Sequence, residues 1–348
     1  MTMFDIFANQ RQVWTDYKQM YTLARRATPF VVGVIVGGFI FSSDLGYVTN
    51  LYTEMLSIIA TVGILNFFNQ QREISNLKRR IIGEASSQSN ETAKSAVDWI
   101  RREGWLTVDD GLLREADLQG ANLECADLTD ANLEQANATG SNLKESMLIS
   151  TNLKGAQLVG ANLEQANLTN ADVSDAVMVG VNLQYARLWN AHVQNTEFVG
   201  ANLAGAELSG ANLQQTNLGG VNLEDAKLIW SNLQMSEMSV ANLRNANLEN
   251  ANLQQVRLCD SSLRGAILVN ANLSSADLGG ADLLGANLRG AIVDNVIWQY
   301  ELYGMVTSVT LPDGTLWSDD TDITRFTDPT HPDFWQPVDT HLLQTTLG

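Results

Sequence analysis

Residues 201–220 read ANLAG-AELSG-ANLQQ-TNLGG, four five-residue units laid end to end. Each unit begins with a small residue, places a polar one second (Asn202, Glu207, Asn212, Asn217) and Leu third (Leu203, Leu208, Leu213, Leu218). Side chains alternate faces along a strand, so the small residue and the Leu point one way and the polar residue the other. The last two residues of each unit, often polar or Gly, suit a corner. A period of five fits neither an uninterrupted strand nor an α-helix. It fits a short straight side followed by a bend. Four such sides close a square, so that four units make one coil filled by Leu and Ala.

The pattern extends far in both directions. From Leu118 to Val293 every fifth residue is Leu, apart from Ala138, Val173, Met178, Val193, Phe198, Met238 and Val293, which makes 36 units without an insertion. Two residues before each stands Ala, or else Ser, Thr or Val. A bulky side chain there would not fit beside the Leu, which explains the restriction. Nine coils at the inter-strand spacing of about 4.8 Å make a rod roughly 43 Å long.

Units of the form A(N/D)LxG, such as Ala116-Asp117-Leu118-Gln119-Gly120, resemble the pentapeptide-repeat family. The resemblance covers residues 111–298. It implies an all-β, right-handed quadrilateral β-helix and says almost nothing about function. Solenoid ends expose core and backbone, so they need caps. Upstream, a helix is expected from Asn90 to Glu103, with Ser89 or Asn90 as its cap, Ala93, Ala96, Val97 and Ile100 inward, and Gly104 as its stop. Trp105 and Leu106 are then placed to cover the first coil. Downstream, Trp298 takes a central position, Tyr300 and Tyr303 follow, and VTSVTL-PDG-TLW reads as a hairpin around Pro312-Asp313-Gly314. Residues 299–348 are therefore a cap hairpin with an acidic tail.

The strict register assigns the outward residues to four sides. The residue after each central position is Glu124, Lys144, Glu164, Gln184, Ala204, Glu224, Arg244, Arg264 and Leu284 on one side, which is largely charged. The opposite side is polar, running from Glu134 to Asp294. A third side carries Ile149, Trp189, Ile229 and Val269, with Trp230 at the adjoining corner. The fourth has no charge at these positions and includes Val159, Val179 and Val199. Exposed apolar stripes mark contact surfaces, although β-branched residues also simply suit strands. Trp189, Ile229 and Trp230, with Ile149 and Val269, are the candidate protein-contact residues.

The N-terminal part differs in kind. Residues 29–41 (PFVVGVIVGGFIF) and 51–68 (LYTEMLSIIATVGILNFF) are apolar, and with their flanks each reaches roughly the 20 residues that cross a bilayer. The intervening SSDLGYVTN has no Lys or Arg, whereas Arg25 and Arg26 precede the pair and Arg72, Lys78, Arg79 and Arg80 follow it. The positive-inside rule then puts both chain ends in the cytoplasm and makes this a two-helix, multi-pass anchor in the cell membrane. The second apolar run argues against a cleaved signal peptide. The expected organisation is 1–28, a cytoplasmic N-terminal helix; 29–68, a transmembrane hairpin; 69–110, an amphipathic linker and cap helices; then the repeats and the tail. Gly33 and Gly37 let a second helix approach, either the hairpin's own or that of another copy. Glu54 lies near the outer end of its helix, where headgroups are.

Charge narrows the partners. Residues 1–110 hold 11 acidic and 11 basic side chains, whereas 111–298 hold 20 against 9. An acidic body without a basic patch disfavours nucleic acid. Cys125 and Cys259 are about 32 Å apart at the strand spacing, too far for a disulfide. His192, His331 and His341 are too few and too scattered for a triad or a His-rich metal site in the repeats. No phosphate-binding or dinucleotide loop is present. The expectation is a non-catalytic, cofactor-free scaffold tethered to the lipid bilayer, which binds an unidentified protein and self-associates as a homo-oligomer through the hairpin. Two alternatives come from other classes. One is an acidic mimic of DNA acting on a topoisomerase, as some soluble members of the resembled family do. The other is a channel or sensor built on Glu54 and the Gly pair.

Overall fold

A computed structural model of the chain describes residues 45–107, 111–297, 309–318 and 321–336, with side chains from Thr61 onward. The chain forms two compact units, Met1–Asn76 and Leu77–Gly348. The first apolar run, the loop at 42–44, Gly33 and Gly37 lie outside the described residues, as does the side chain of Glu54.

Helix α1 spans Leu45–Ala85, 41 residues. It begins inside the stretch expected to be an outer loop, and it joins the apolar run 51–68 to the basic stretch 69–83 without a break. The reason is local. Asn69 to Arg80 contains no Pro or Gly and is rich in Gln, Glu, Leu, Lys and Arg, so nothing stops the helix. Gly63 and Gly83 are tolerated within it. Among the described residues no helix is long and apolar enough to cross a membrane.

In the second unit α1 ends on an apolar stripe: Leu77, Ile81 and Ala85 are buried at spacings of four. Helix α2, Asn90–Arg102, starts after Ser89 and stops where Gly104 takes φ +73°. Its amphipathic pattern puts Ala93, Ala96, Val97, Trp99 and Ile100 inward. Trp99 meets Trp105 edge-on at 5.2 Å, and Lys78 sits 5.5 Å over the Trp105 ring.

The repeats form a parallel β-helix with four sides per coil. The second residue of each unit bridges in parallel to its counterpart in the next coil, from Asp117 with Asn137 through Asp277 with Ile297. Leu and Ala columns are buried throughout, and Phe198, the bulkiest central residue, is wholly enclosed. Ser and Thr in the small position are buried too, and apart from Ser141 their hydroxyls find carbonyls. Ser231 Oγ donates to Leu228 O at 2.7 Å in the preceding unit, whereas Thr196 Oγ1 reaches Val173 O in the preceding coil at 2.8 Å.

Every corner is made the same way. The fourth residue and a left-handed fifth residue turn the chain, with φ between 52° and 73° at each fifth position from Glu115 to Asn295. Gly, Asn and Asp tolerate this region best, yet Val240, Trp230, Met235 and Tyr185 adopt it as well. The outward Asn is also busier than its direction suggested. Asn222 Oδ1 accepts from the Glu224 amide at 3.2 Å, which helps turn the corner. Its Nδ2 donates to Asn202 Oδ1 at 3.1 Å in the coil before, and Asn242 continues the ladder at 2.9 Å.

Both ends are capped by hydrogen bonds as well as by apolar cover. At the start, Asn90 Nδ2 donates to Glu124 O at 2.9 Å, and Arg101 Nη2 donates to Asp127 O at 2.9 Å and Thr129 O at 3.1 Å. Ser86 Oγ reaches Asp117 O, and the Glu115 amide covers Glu134 O. In return the amides of Asn122 and Asn132 donate to Ser87 O and Leu106 O. At the far end Thr310 bridges both Asn287 and Leu316, so a hairpin's first strand stacks on the last coil. Helix α3, Thr324–Thr327, buries Phe326 there, and Arg325 pairs with Asp313 of the hairpin turn. Trp298, Tyr300 and Tyr303 lie outside the described residues.

Candidate protein-contact face

The sides are numbered from Asp117, so that side one holds 117–119, side two 122–124, side three 127–129 and side four 132–134, each recurring once per coil. Coil one is 117–136. On side three, Trp189 is 43% exposed and Trp230, at the corner beyond it, 69% exposed. Ile149, Ile229 and Val269 are half-buried in the same column as Trp189. Trp189 belongs to coil four, Ile229 and Trp230 to coil six. The rod therefore gathers these residues along one side and its edge. They do not converge on a cavity.

Two members of this side were not singled out from the sequence. Met147 and Ile267 occupy the second position of their units and are exposed. The signal was available: that position is normally Asn, Asp or another polar residue, so an apolar residue there departs from the pattern. Met235 and Val240 likewise stand exposed at successive corners after Trp230. Val240 is β-branched at φ +61°, a conformation such residues rarely adopt.

Side three is also the place where charge is arranged in a column. Arg187, Glu207 and Lys227 follow one another up the bridge ladder. Lys227 Nζ lies 2.9 Å from Glu207 Oε1, while Arg187 is exposed and has no ion pair among the described residues.

Side one, opposite, carries Val159, Val179 and Val199 at 36–40% exposure, with Val177 between them and open Gly corners at 160, 180 and 200. Side two holds Lys144 against Glu164 at 3.1 Å. The hydrogen bond within that ion pair, and then its charge, raise the lysine's pKa. Side four is a polar ladder in which Gln214 Nε2 donates to Gln234 Oε1 at 3.1 Å.

Among the described residues no group of His, Cys, Asp and Glu has the arrangement to hold a metal ion. Desolvation, then the Glu145 carboxylate, pushes up the Cys125 thiol, and desolvation with a hydrogen bond to Asp277 does the same at Cys259. Both shifts favour the protonated thiol over the nucleophilic thiolate.

A four-sided parallel β-helix of five-residue units is the class of protein that this architecture defines. The chain belongs to the pentapeptide-repeat family: the family model for pentapeptide repeats matches residues 112–165 and 222–295, and the model for a pentapeptide repeat region matches 151–228. No curated protein matches the chain. Among solved structures it is similar to HetL, a pentapeptide repeat protein involved in heterocyst differentiation regulation from the cyanobacterium Nostoc sp. PCC 7120. Identity there is 28%, with 63% of this chain and 98% of HetL covered, at a TM-score of 0.34. QnrB1, a plasmid-mediated fluoroquinolone resistance protein, is 17% identical over 56% of this chain and 91% of its own, also at 0.34. A pentapeptide repeat protein of the Arabidopsis thaliana thylakoid lumen is 26% identical over 36% and 82%, at 0.19.

Proposed function

We propose that this protein is a membrane-tethered, non-catalytic scaffold whose β-helix presents side three to a protein partner. The observation that carries the tether is on α1. Val62, Ile64, Leu65, Phe67 and Phe68 are each at least half exposed, and at 100° per residue they spread over about 220° of the helix circumference. An exposed apolar arc that wide exceeds the stripe of an ordinary surface helix and calls for an apolar surrounding. A lipid bilayer supplies that environment, and Arg72, Lys78, Arg79 and Arg80 follow at the place where anionic headgroups attract cations. The apolar residues 29–41 supply a second segment, and a two-helix hairpin leaves both chain ends in the cytoplasm.

The scaffold reading rests on Trp189 and Trp230. A ring left in water adds nothing to a rod already filled by Leu, whereas Trp is enriched among residues that dominate interface energy.

The experiment separates the two parts. The chain is expected to sediment with membranes and to resist carbonate extraction. Replacing Ile64, Leu65, Phe67 and Phe68 together with Ser should release it while the β-helix stays folded by circular dichroism. Cysteine introduced at Ser43 should react with an impermeant reagent on intact cells, and one at Ser89 only after lysis. Full-length protein recovered in the soluble fraction refutes the tether. Loss of a crosslinked partner on Trp189→Ala with Trp230→Ala, with unchanged thermal stability, supports the contact face. Unchanged crosslinking refutes it.

A further inference from the structure

The edge between sides three and four has a definite ruler along the rod axis. Trp189 on coil four and Trp230 on coil six are separated by two coil spacings, roughly 9.6 Å. The intervening coil offers Ser209 and Gly210, and the Asn190 side chain lies directly over the Gly210 α-carbon, where a Cβ would collide with it. The edge is therefore two exposed rings flanking a low polar step that carries an amide.

Polyproline II advances about 3.1 Å per residue with three residues per turn, so it repeats a face every ~9.3 Å. That matches the axial offset between the two coils that carry the rings. A β-strand repeats a face every ~6.6 Å and would set its side chains out of step with the two Trp. A polyproline II segment also keeps its carbonyls free of internal hydrogen bonds, so the Asn190 amide has acceptors to meet. Such a segment is ordered before it binds and docks against aromatic surfaces at little entropic cost.

Charge fixes the rest of the occupant. The Arg187–Glu207–Lys227 column has two cations to one anion beside Trp189, and Lys227 already holds Glu207. Glu249, one coil further on the same side, balances the second cation, and Arg187 is the cation of this column without an ion pair among the described residues. It suits a carboxylate on the ligand. We propose that the Trp189–Trp230 edge binds an acidic, proline-rich segment in the polyproline II conformation, lying along the rod axis with one proline on each ring and a carboxylate at Arg187. This rests on the reading of side three as a contact face.

The test uses the full chain in detergent micelles and a probe peptide of three Asp-Pro-Pro repeats, with binding followed by tryptophan fluorescence and calorimetry. Saturable binding is expected, weakened at least about tenfold by Trp189→Ala or by Trp230→Ala alone. Arg187→Gln is expected to weaken the Asp-Pro-Pro probe about fivefold while leaving a neutral nonaproline unchanged, and a Lys-Pro-Pro probe binds more weakly than either. No binding at millimolar probe overturns the proposal, as does equal binding by the doubly substituted protein. Tighter binding of a helix-forming peptide of equal charge, or of an oligosaccharide, overturns it too. If the probe fails but the double substitution still abolishes partner crosslinking in membranes, the proline-rich ligand is wrong and the contact face stands. If both fail, the face itself is wrong.

Discussion

Apolar residues stand in opposite circumstances in two parts of this chain. In the β-helix the central column, from Leu118 to Val293, is buried almost without exception. On α1 the cluster Val62, Ile64, Leu65, Phe67 and Phe68 is as hydrophobic, yet each member is exposed by half or more. The difference lies in spacing. A Leu at every fifth position always returns to the inside of a four-cornered coil, so the repeat buries its own apolar surface by stacking on copies of itself. Five apolar residues within seven positions of a helix spread over about 220° of its circumference, wider than the stripe a single packing face hides. Hydrophobicity by itself does not say what is buried. Its period does, and where the period fails an external apolar partner is needed.

The comparison can be broken most forcefully inside the rod. Leu203 is fully buried among neighbouring coils that limit collapse, so Leu203→Ala is expected to cost about 2–5 kcal/mol. Denaturant titration measures it, and a cost below about 1 kcal/mol would mean that the column is not the core. Gly205→Ala comes next. Its φ of +65° disfavours any side chain, and the new Cβ would sit 2.5 Å from Tyr185 Cε1, so about 1–2 kcal/mol is lost from conformation alone. Adding Tyr185→Ala relieves the collision and should recover only what exceeds that figure. Full recovery would show the corner to be unstrained.

A smaller effect sharpens what counts as outside. Asn202 Oδ1 accepts from Asn222 Nδ2 at 3.1 Å and from the Ala204 amide at 3.3 Å. Asn202→Ala should therefore cost about 1 kcal/mol, in keeping with the net worth of a typical hydrogen bond. A loss equal to that of Leu203→Ala would invert the assignment of inside and outside. The smallest change is expected on the helix. Leu65→Ser removes no buried contact, so thermal stability of the β-helix should move by less than about 0.5 kcal/mol. A large loss there would show that the helix is packed within the protein, and the contrast between the two regions would disappear.

Acid tests the C-terminal cap separately. A hydrogen bond from the Thr324 hydroxyl holds the Asp322 carboxyl below its ordinary value, and the Thr330 hydroxyl does the same for Asp328. Folded-state values that are depressed give stability that is complete above the unfolded carboxylate value and is lost as pH falls through the folded one. Amide exchange around Thr324 and Thr330 should quicken in that window, below about pH 4, while the central coils remain protected.

The amino-acid sequence by itself determined the coil length, which residues face inward, which outward residues share a side, and that α2 would cover one end of the stack and a hairpin the other. It could do so because 36 units run without an insertion, so one phase assigned at Leu203 holds at Leu118 and Val293 alike. Only the tertiary structure decided how the carbonyls of the first coil are met, because Asn90 and Arg101 reach them from α2 across distances in the chain that no local pattern records. The same is true of the Asn ladder, whose partners are a whole coil apart in the chain and meet only when coils stack. It is true also of the hairpin register, where Thr310 pairs with Asn287 once the five-residue period has ended. The left-handed corners at Trp230 and Val240 belong with these. Nothing intrinsic to a Trp or a Val favours that conformation, and the closed square of the coil imposes it.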